Sequence, residues 1–190
     1  MTPTPLTTPQ FHPLLPFIIP HAPMGRQVAD LRTRLDAMFH VASGTGPWCA
    51  LPEHYGRPDT VSRWFRRLTH AGLSERLLHA IKDSGPNHPL REIAPLIFRA
   101  CRRAARLRGL PFIALVRRLR LLAALPGPPD KVANPALSEN IRSRPPLPRA
   151  DALLAATHTE ITEILRGIRR LHRRAAGLAR IPRALRLGWS

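Results

Sequence analysis

No run of this sequence alternates apolar and polar residues with β-branched enrichment; its apolar residues recur every three or four positions instead. That period belongs to helices with one buried face, so the chain is expected to be all-α. Asp30 to Ser43 places Leu31, Leu35, Met38, Phe39 and Ala42 on one face and stops at Gly44. A short helix is predicted over Trp48 to Tyr55, closed by Gly56. Asp59 or Thr60 is positioned to cap the next helix, which turns Val61, Trp64, Phe65 and Leu68 inward and ends at Gly72. Ser74 is expected to cap Glu75 to Lys82, with Leu77, Leu78 and Ile81 inward. Downstream, Leu90 to Leu107 and Phe112 to Leu125 read as two arginine-studded helices, and Asp151 to Leu178 as a single long one. In the last, Leu154, Thr157, Ile161, Ile164, Ile168, Leu171, Ala175 and Leu178 form a narrow seam. Such a seam suits either a second copy of the helix or the body of the protein, and Thr157 and Ala175 favour the body.

Charge narrows the function. The 190 residues hold 30 Lys and Arg against 12 Asp and Glu, a formal charge of +18. Lys82 and Lys131 are the only lysines, so the basic residues are almost all arginine, whose planar fork pairs two-handedly with phosphate or guanine. This balance argues against an ordinary small-molecule enzyme and for a polyanionic partner. Residues 1–83 carry 9 basic and 6 acidic side chains, whereas residues 84–190 carry 21 and 6. The change falls at Ser84-Gly85-Pro86-Asn87-His88-Pro89, a cluster of turn formers, and a proline-rich stretch from Pro126 to Pro148 divides the basic half. The expected organisation is therefore a disordered N-terminus over 1–10, a helix-turn-helix domain over 11–83 and a basic helical pair over 84–125. A Pro-rich linker over 126–149 and a long amphipathic Arg-rich helix with its tail over 150–190 complete it.

The segment Trp48 to Gly72 carries the functional signal. A short helix, a tight turn at Gly56-Arg57-Pro58 and a second helix make a helix-turn-helix. With Val61, Trp64, Phe65 and Leu68 inward, the opposite side presents Arg57, Thr60, Ser62, Arg63, Arg66, Arg67 and His70. This set suits a recognition helix in the major groove of double-stranded DNA, its first residues meeting base edges and its arginines reading guanine or clamping phosphate. A solvated basic helix face explains the same pattern equally well from composition alone.

The residues themselves resemble a known family. Arg34-Leu35-Asp36-Ala37, Thr45-Gly46-Pro47-Trp48, Leu51-Pro52-Glu53, Thr60-Val61, Arg63, Phe65-Arg66-Arg67, Ala71-Gly72 and Glu75-Arg76-Leu77-Leu78 are similar to the N-terminal DNA-binding domain of bacterial insertion-sequence transposases of the DDE class. Leu14-Leu15-Pro16 and Gly25-Arg26 resemble that family's opening segment, and the likeness covers about residues 11–82. Cys49 and Trp64 stand where the family often has a basic residue, which removes positive charge from or near the expected DNA-facing surface. The resemblance implies DNA binding, in the family at the ends of a mobile element.

The same resemblance implies a following RNase H-like domain whose two Asp and one Glu hold two metals for strand cleavage and transfer. After residue 83 the sequence offers Glu92, Asp130, Glu139, Asp151, Glu160 and Glu163, none on a predicted strand, and Glu160 and Glu163 are spaced for helix ion pairs with Arg166 or Arg170. No catalytic residue is assigned, and the chain is expected to bind DNA without strand-transfer activity. No metal site and no cofactor are expected either: the nine histidines are scattered, and neither H-E-x-x-H nor C-x-x-C occurs. Cys49 and Cys101 are too few for a disulfide framework and suit a reducing compartment. The N-terminus shows no targeting signal, and neither Phe11 to Pro20 nor Leu110 to Leu125 has the length and apolarity of a membrane span. The expected location is the cytoplasm, with the nucleoid. Two alternatives remain open from sequence. One is attachment of the Arg-rich helices, Phe112 to Leu125 above all, to an anionic membrane surface or a protein partner. The other is a DNA-binding subunit of a transposase whose catalytic part comes from a second reading frame.

Overall fold

The computed structural model describes residues 5–18, 30–44 and 46–189, Leu187 by its backbone alone. Among these residues every regular element is a helix or a 3₁₀ turn, and the fold is all-α. Gly25-Arg26 and Thr45 lie outside the described residues.

The chain divides into two compact units at Pro126/Gly127. The first is built on α3 (Leu31–Ser43), α4 (Pro58–His70), α5 (Leu73–Asp83) and α7 (Ala94–Arg108). Two short N-terminal helices, α1 (Thr8–Phe11) and α2 (Leu15–Ile18), precede them, α6 (Pro89–Glu92) leads into α7, and α8 (Leu110–Arg118) follows it. Asp30 starts α3 by accepting a hydrogen bond from the Thr33 amide at 3.2 Å. Leu35, Ala37, Met38 and Phe39 then turn inward. Pro58 opens α4, its fixed φ already helical, so the helix begins before Asp59 and Thr60 and neither side chain caps it. Gly72, left-handed at φ 78° and ψ 20°, both ends α4 and starts α5. Ser74 therefore lies inside the first turn of α5, buried, and is not its cap.

The main departure from expectation is the place of α7. The turn at 84–89 is present, but the helix after it does not belong to a separate basic pair: α7 packs against α3, α4 and α5. Ile97, Ala100, Cys101 and Ala104 share one face at helical spacing, and all four are buried. Small residues on this face let the helix approach closely, and the arginines between them reach its flanks. The basic segment thus supplies a wall of the core that the upstream helices cannot close by themselves.

Other boundaries moved for local reasons. Trp48 to Tyr55 is two 3₁₀ turns, Trp48–Ala50 and Glu53–Tyr55, because Pro52 has no amide proton to donate and holds Leu51 extended at ψ 128°. The helix expected over Leu90 to Leu107 is interrupted at Ile93, and the one expected over Phe112 to Leu125 ends at Arg118, two residues before Arg120 takes φ 60°. The order of the N-terminus begins earlier than residue 11. Leu6 is 2% exposed, its amide donates to Asp36 Oδ1 at 2.9 Å, and its carbonyl accepts from Arg32 Nη2 at 2.7 Å.

In the second unit, the proline-rich stretch is no linker, because it contains α9 (Pro135–Ser143), capped by Asn134. The long helix breaks at Ala156, which is extended, into α10 (Ala150–Ala155) and α11 (His158–Ala176). Thr157 and Glu160 form a capping box that restarts the chain as α11, so a residue counted in the apolar seam is a helix start. α9 packs on α11. The Asn134 amide donates to the Ala175 carbonyl at 2.8 Å, and the Leu178 amide to the Lys131 carbonyl at 2.8 Å. A short helix, α12 (Arg183–Leu187), is the last element of the described residues.

Candidate nucleic-acid interface

α4 has two well-separated sides. Val61, Trp64 and Phe65 are buried, and Thr69 continues the same side one turn later at 1% exposure. On the other side Thr60, Arg63, Arg66, Arg67 and His70 are exposed, with Arg57 exposed just before the helix. Arg63 to His70 follows i, i+3, i+4, i+7 spacing, a single stripe about 10 Å long at 1.5 Å per residue. The guanidiniums of Arg57, Arg63, Arg66 and Arg67 have no hydrogen-bond or ion-pair partner among the described residues. Their donors are therefore free for an acceptor from outside.

Ser62 does not belong to this set. It is 7% exposed and shares a stripe with Phe65 and Thr69, three and seven residues on, so the core covers it. Trp64 likewise points into the core and takes no charge from the exposed face.

The loop before α4 is held by a residue that sequence reasoning overlooked. Arg103 of α7 donates from Nη2 to the Gly46 carbonyl at 2.7 Å and to the Gly44 carbonyl at 3.3 Å. Its guanidinium lies 5.4 Å from the Trp48 ring centroid, and Trp48 meets Phe65 of α4 at 5.3 Å. A chain of contacts thus runs from α7 through the Gly46-Pro47-Trp48 loop to the buried side of α4. Nearby, Arg108 Nε pairs with Glu75 Oε1 at 2.7 Å, and Arg76 donates to the Ala71 carbonyl at 2.6 Å and the Phe17 carbonyl at 3.0 Å. Arg102, Arg103 and Arg108 of α7 and Arg76 of α5 are spent on backbone and carboxylate partners, while the guanidiniums of α4 have none among the described residues. Nothing in the sequence of α7 sets Arg103 apart from its neighbours; only the fold brings it to the loop. Arg103→Met keeps most of the volume and removes the donors. It is expected to lower the unfolding free energy by about 1–3 kcal/mol in urea denaturation, the cost of charged hydrogen bonds lost in a half-buried place.

The remaining candidate groups are engaged elsewhere. Burial, the largest influence on it, pushes the Cys101 thiol up to about 12, so it is no nucleophile at neutral pH. Glu92 accepts from Gln10, Glu139 pairs with Arg142, Glu163 with Arg166 and Asp130 with Lys131, and Glu160 caps α11. Among the described residues no three His, Cys, Asp or Glu side chains cluster as a metal-binding group. None of the described helices is long and apolar enough to cross a membrane. Over the stretch expected to suit a lipid surface, Phe112, Leu115, Val116 and Leu125 are buried in the protein.

Residues 6–78 match the family described as "Putative transposase of IS4/5 family". The first part of the chain is similar to that family. No curated protein and no solved structure matches the chain. The IS4/5-related segment contains α3, the loop, α4 and most of α5, but neither α7 nor Arg103. The short helix expected in Trp48 to Gly72 is replaced by two 3₁₀ turns, while Gly56-Arg57 still turns the chain into the second helix, α4.

Proposed function

We propose that this chain binds double-stranded DNA through the exposed side of α4, with Arg57, Thr60, Arg63, Arg66, Arg67 and His70 as its contact residues. The observation that carries the reading is the stripe of unpartnered arginines on a helix whose other side is fixed in the core, within the IS4/5-related segment. A helix held rigidly from behind offers its arginines to base edges and phosphates at little ordering cost. In this reading the chain attaches to DNA and does not itself cleave it. Five of the carboxylates after residue 83 support that part, Glu92, Asp130, Glu139, Glu160 and Glu163 being engaged in ion pairs, a helix cap and a side-chain hydrogen bond, and no metal-binding group of three forms among the described residues.

Selection from a randomised duplex pool at about physiological salt tests the reading. The full chain is expected to enrich a defined motif. The triple variant Arg63→Gln, Arg66→Gln, Arg67→Gln should bind that motif roughly 100-fold more weakly, since a bidentate arginine–base pair is worth about 1–3 kcal/mol. Enrichment of no motif by the full chain, or equal affinity of the variant, overturns it.

A further inference from the structure

A second arginine stripe runs along α11. Arg166, Arg169, Arg170 and Arg173 repeat the i, i+3, i+4, i+7 spacing seen on α4, and all four are exposed. Arg166 is paired with Glu163, but the guanidiniums of Arg169, Arg170 and Arg173 have no hydrogen-bond or ion-pair partner among the described residues. At 100° per residue the stripe lies opposite Ile161, Ile164, Ile168, Leu171 and Ala175. Those five residues are partly or fully buried, and α9 packs on the helix they belong to. The hydrogen bond from the Asn134 amide to the Ala175 carbonyl fixes α9 at the end of α11.

From this geometry we infer that α11 is a second nucleic-acid site, which grips the phosphate backbone of duplex DNA side-on and without regard to sequence. The inference does not depend on α4 being a recognition helix. The three unpaired guanidiniums, over about 6 Å of helix at 1.5 Å per residue, meet a duplex that carries one charge per roughly 1.7 Å of axis, so each has a phosphate within reach. The helix is unsuited to enter a groove N-terminus first, because Glu160 sits at that end as part of the capping box and would face the phosphates. An anionic lipid surface is disfavoured for a different reason. A surface helix must bury its apolar face in the bilayer boundary, and here that face is turned toward α9 within the protein.

The test measures duplex affinity of the full-length protein between about 50 and about 200 mM salt, on duplexes of arbitrary sequence. In the variant Arg169→Gln, Arg170→Gln, Arg173→Gln the slope of log K against log salt should become shallower by about 2–3, on every duplex alike, at about 0.9 per lost phosphate contact. The motif enriched in a pool selection should not change. Replacing the same three residues by Lys should retain most of the slope, and the helix content by circular dichroism shows whether each variant is folded. An unchanged slope in a folded Gln variant overturns the inference. So does an equal loss of slope in the control Arg118→Gln, Arg144→Gln, Arg149→Gln, which removes the same charge from exposed places elsewhere. If the Gln variant instead loses co-sedimentation with phosphatidylserine vesicles while its slope on DNA holds, the face belongs to a membrane and the inference falls. Loss of pool enrichment in the α4 variant with the salt slope mostly kept would leave the α11 site standing, so the two readings can fail separately.

Discussion

A fragment ending at residue 84 is expected to melt without a cooperative transition, while one ending at residue 126 keeps a sharp one. The shorter piece contains the whole IS4/5-related segment, yet it lacks the helix that closes its core. Ile97, Ala100 and Cys101 of α7 face Met38, Phe39, Phe65, Leu73 and Leu77 across a cavity of only about 10 Å³. Leu90, Ile93 and Ala104 are buried as well, and Phe112, Val116 and Leu125 extend the same unit. Burying a large apolar side chain stabilises by about 1.5–3 kcal/mol, so losing half a dozen of them removes roughly 10 kcal/mol. Domains of this kind are stable by only about 5–15 kcal/mol in total. The cut also removes Arg103 from the Gly46 loop and Arg108 from Glu75. Urea denaturation followed by far-ultraviolet circular dichroism separates the outcomes. A cooperative transition in residues 1–84 would mean that α7 is an accessory.

The second large effect is expected at Gly177, where the chain leaves α11. Its backbone sits at φ 68° and ψ −167°, a conformation essentially confined to glycine. A Cβ there would lie 2.5 Å from the Ala133 nitrogen, 2.7 Å from the Val132 carbonyl carbon and 2.9 Å from the Lys131 oxygen. All three are backbone atoms, and the Leu178 amide bonds that same Lys131 carbonyl, so no side chain can swing aside to make room. Gly177→Ala combines backbone strain with a clash, and is expected to cost roughly 3–5 kcal/mol. Limited proteolysis should show residues 127–189 cut first while the unit up to Pro126 survives. Equal protease resistance of variant and parent would show that residues 131–133 yield at little cost.

Local chemistry was legible where it rests on neighbours along the chain. The 3.6-residue period placed α3, α4 and α5 and their inward residues Leu35, Phe39, Val61, Trp64, Phe65, Leu77 and Leu78. The same period defined the exposed stripe of Arg63, Arg66, Arg67 and His70. Ser62 was misplaced because a small polar residue carries no burial signal; its neighbours at i+3 and i+7, Phe65 and Thr69, determine its side. Prolines decided two of the boundaries that moved. Pro52 divides Trp48 to Tyr55 into two turns, and a proline-rich stretch still holds α9, because Pro135 occupies the first position of that helix, where no amide donor is needed.

By itself the sequence determined an all-helical, strongly basic chain, with a segment resembling insertion-sequence transposases and an arginine stripe on its second long helix, α4. Tertiary structure alone decided which arginines are free. On α7 they look no different in sequence from those on α4, yet Arg103 and Arg108 are held by a loop carbonyl and a carboxylate brought from 57 and 33 residues away, whereas the guanidiniums of Arg63, Arg66 and Arg67 have no partner among the described residues. Charge is written residue by residue, but its neutralisation depends on partners distant along the chain, and only folding brings those together.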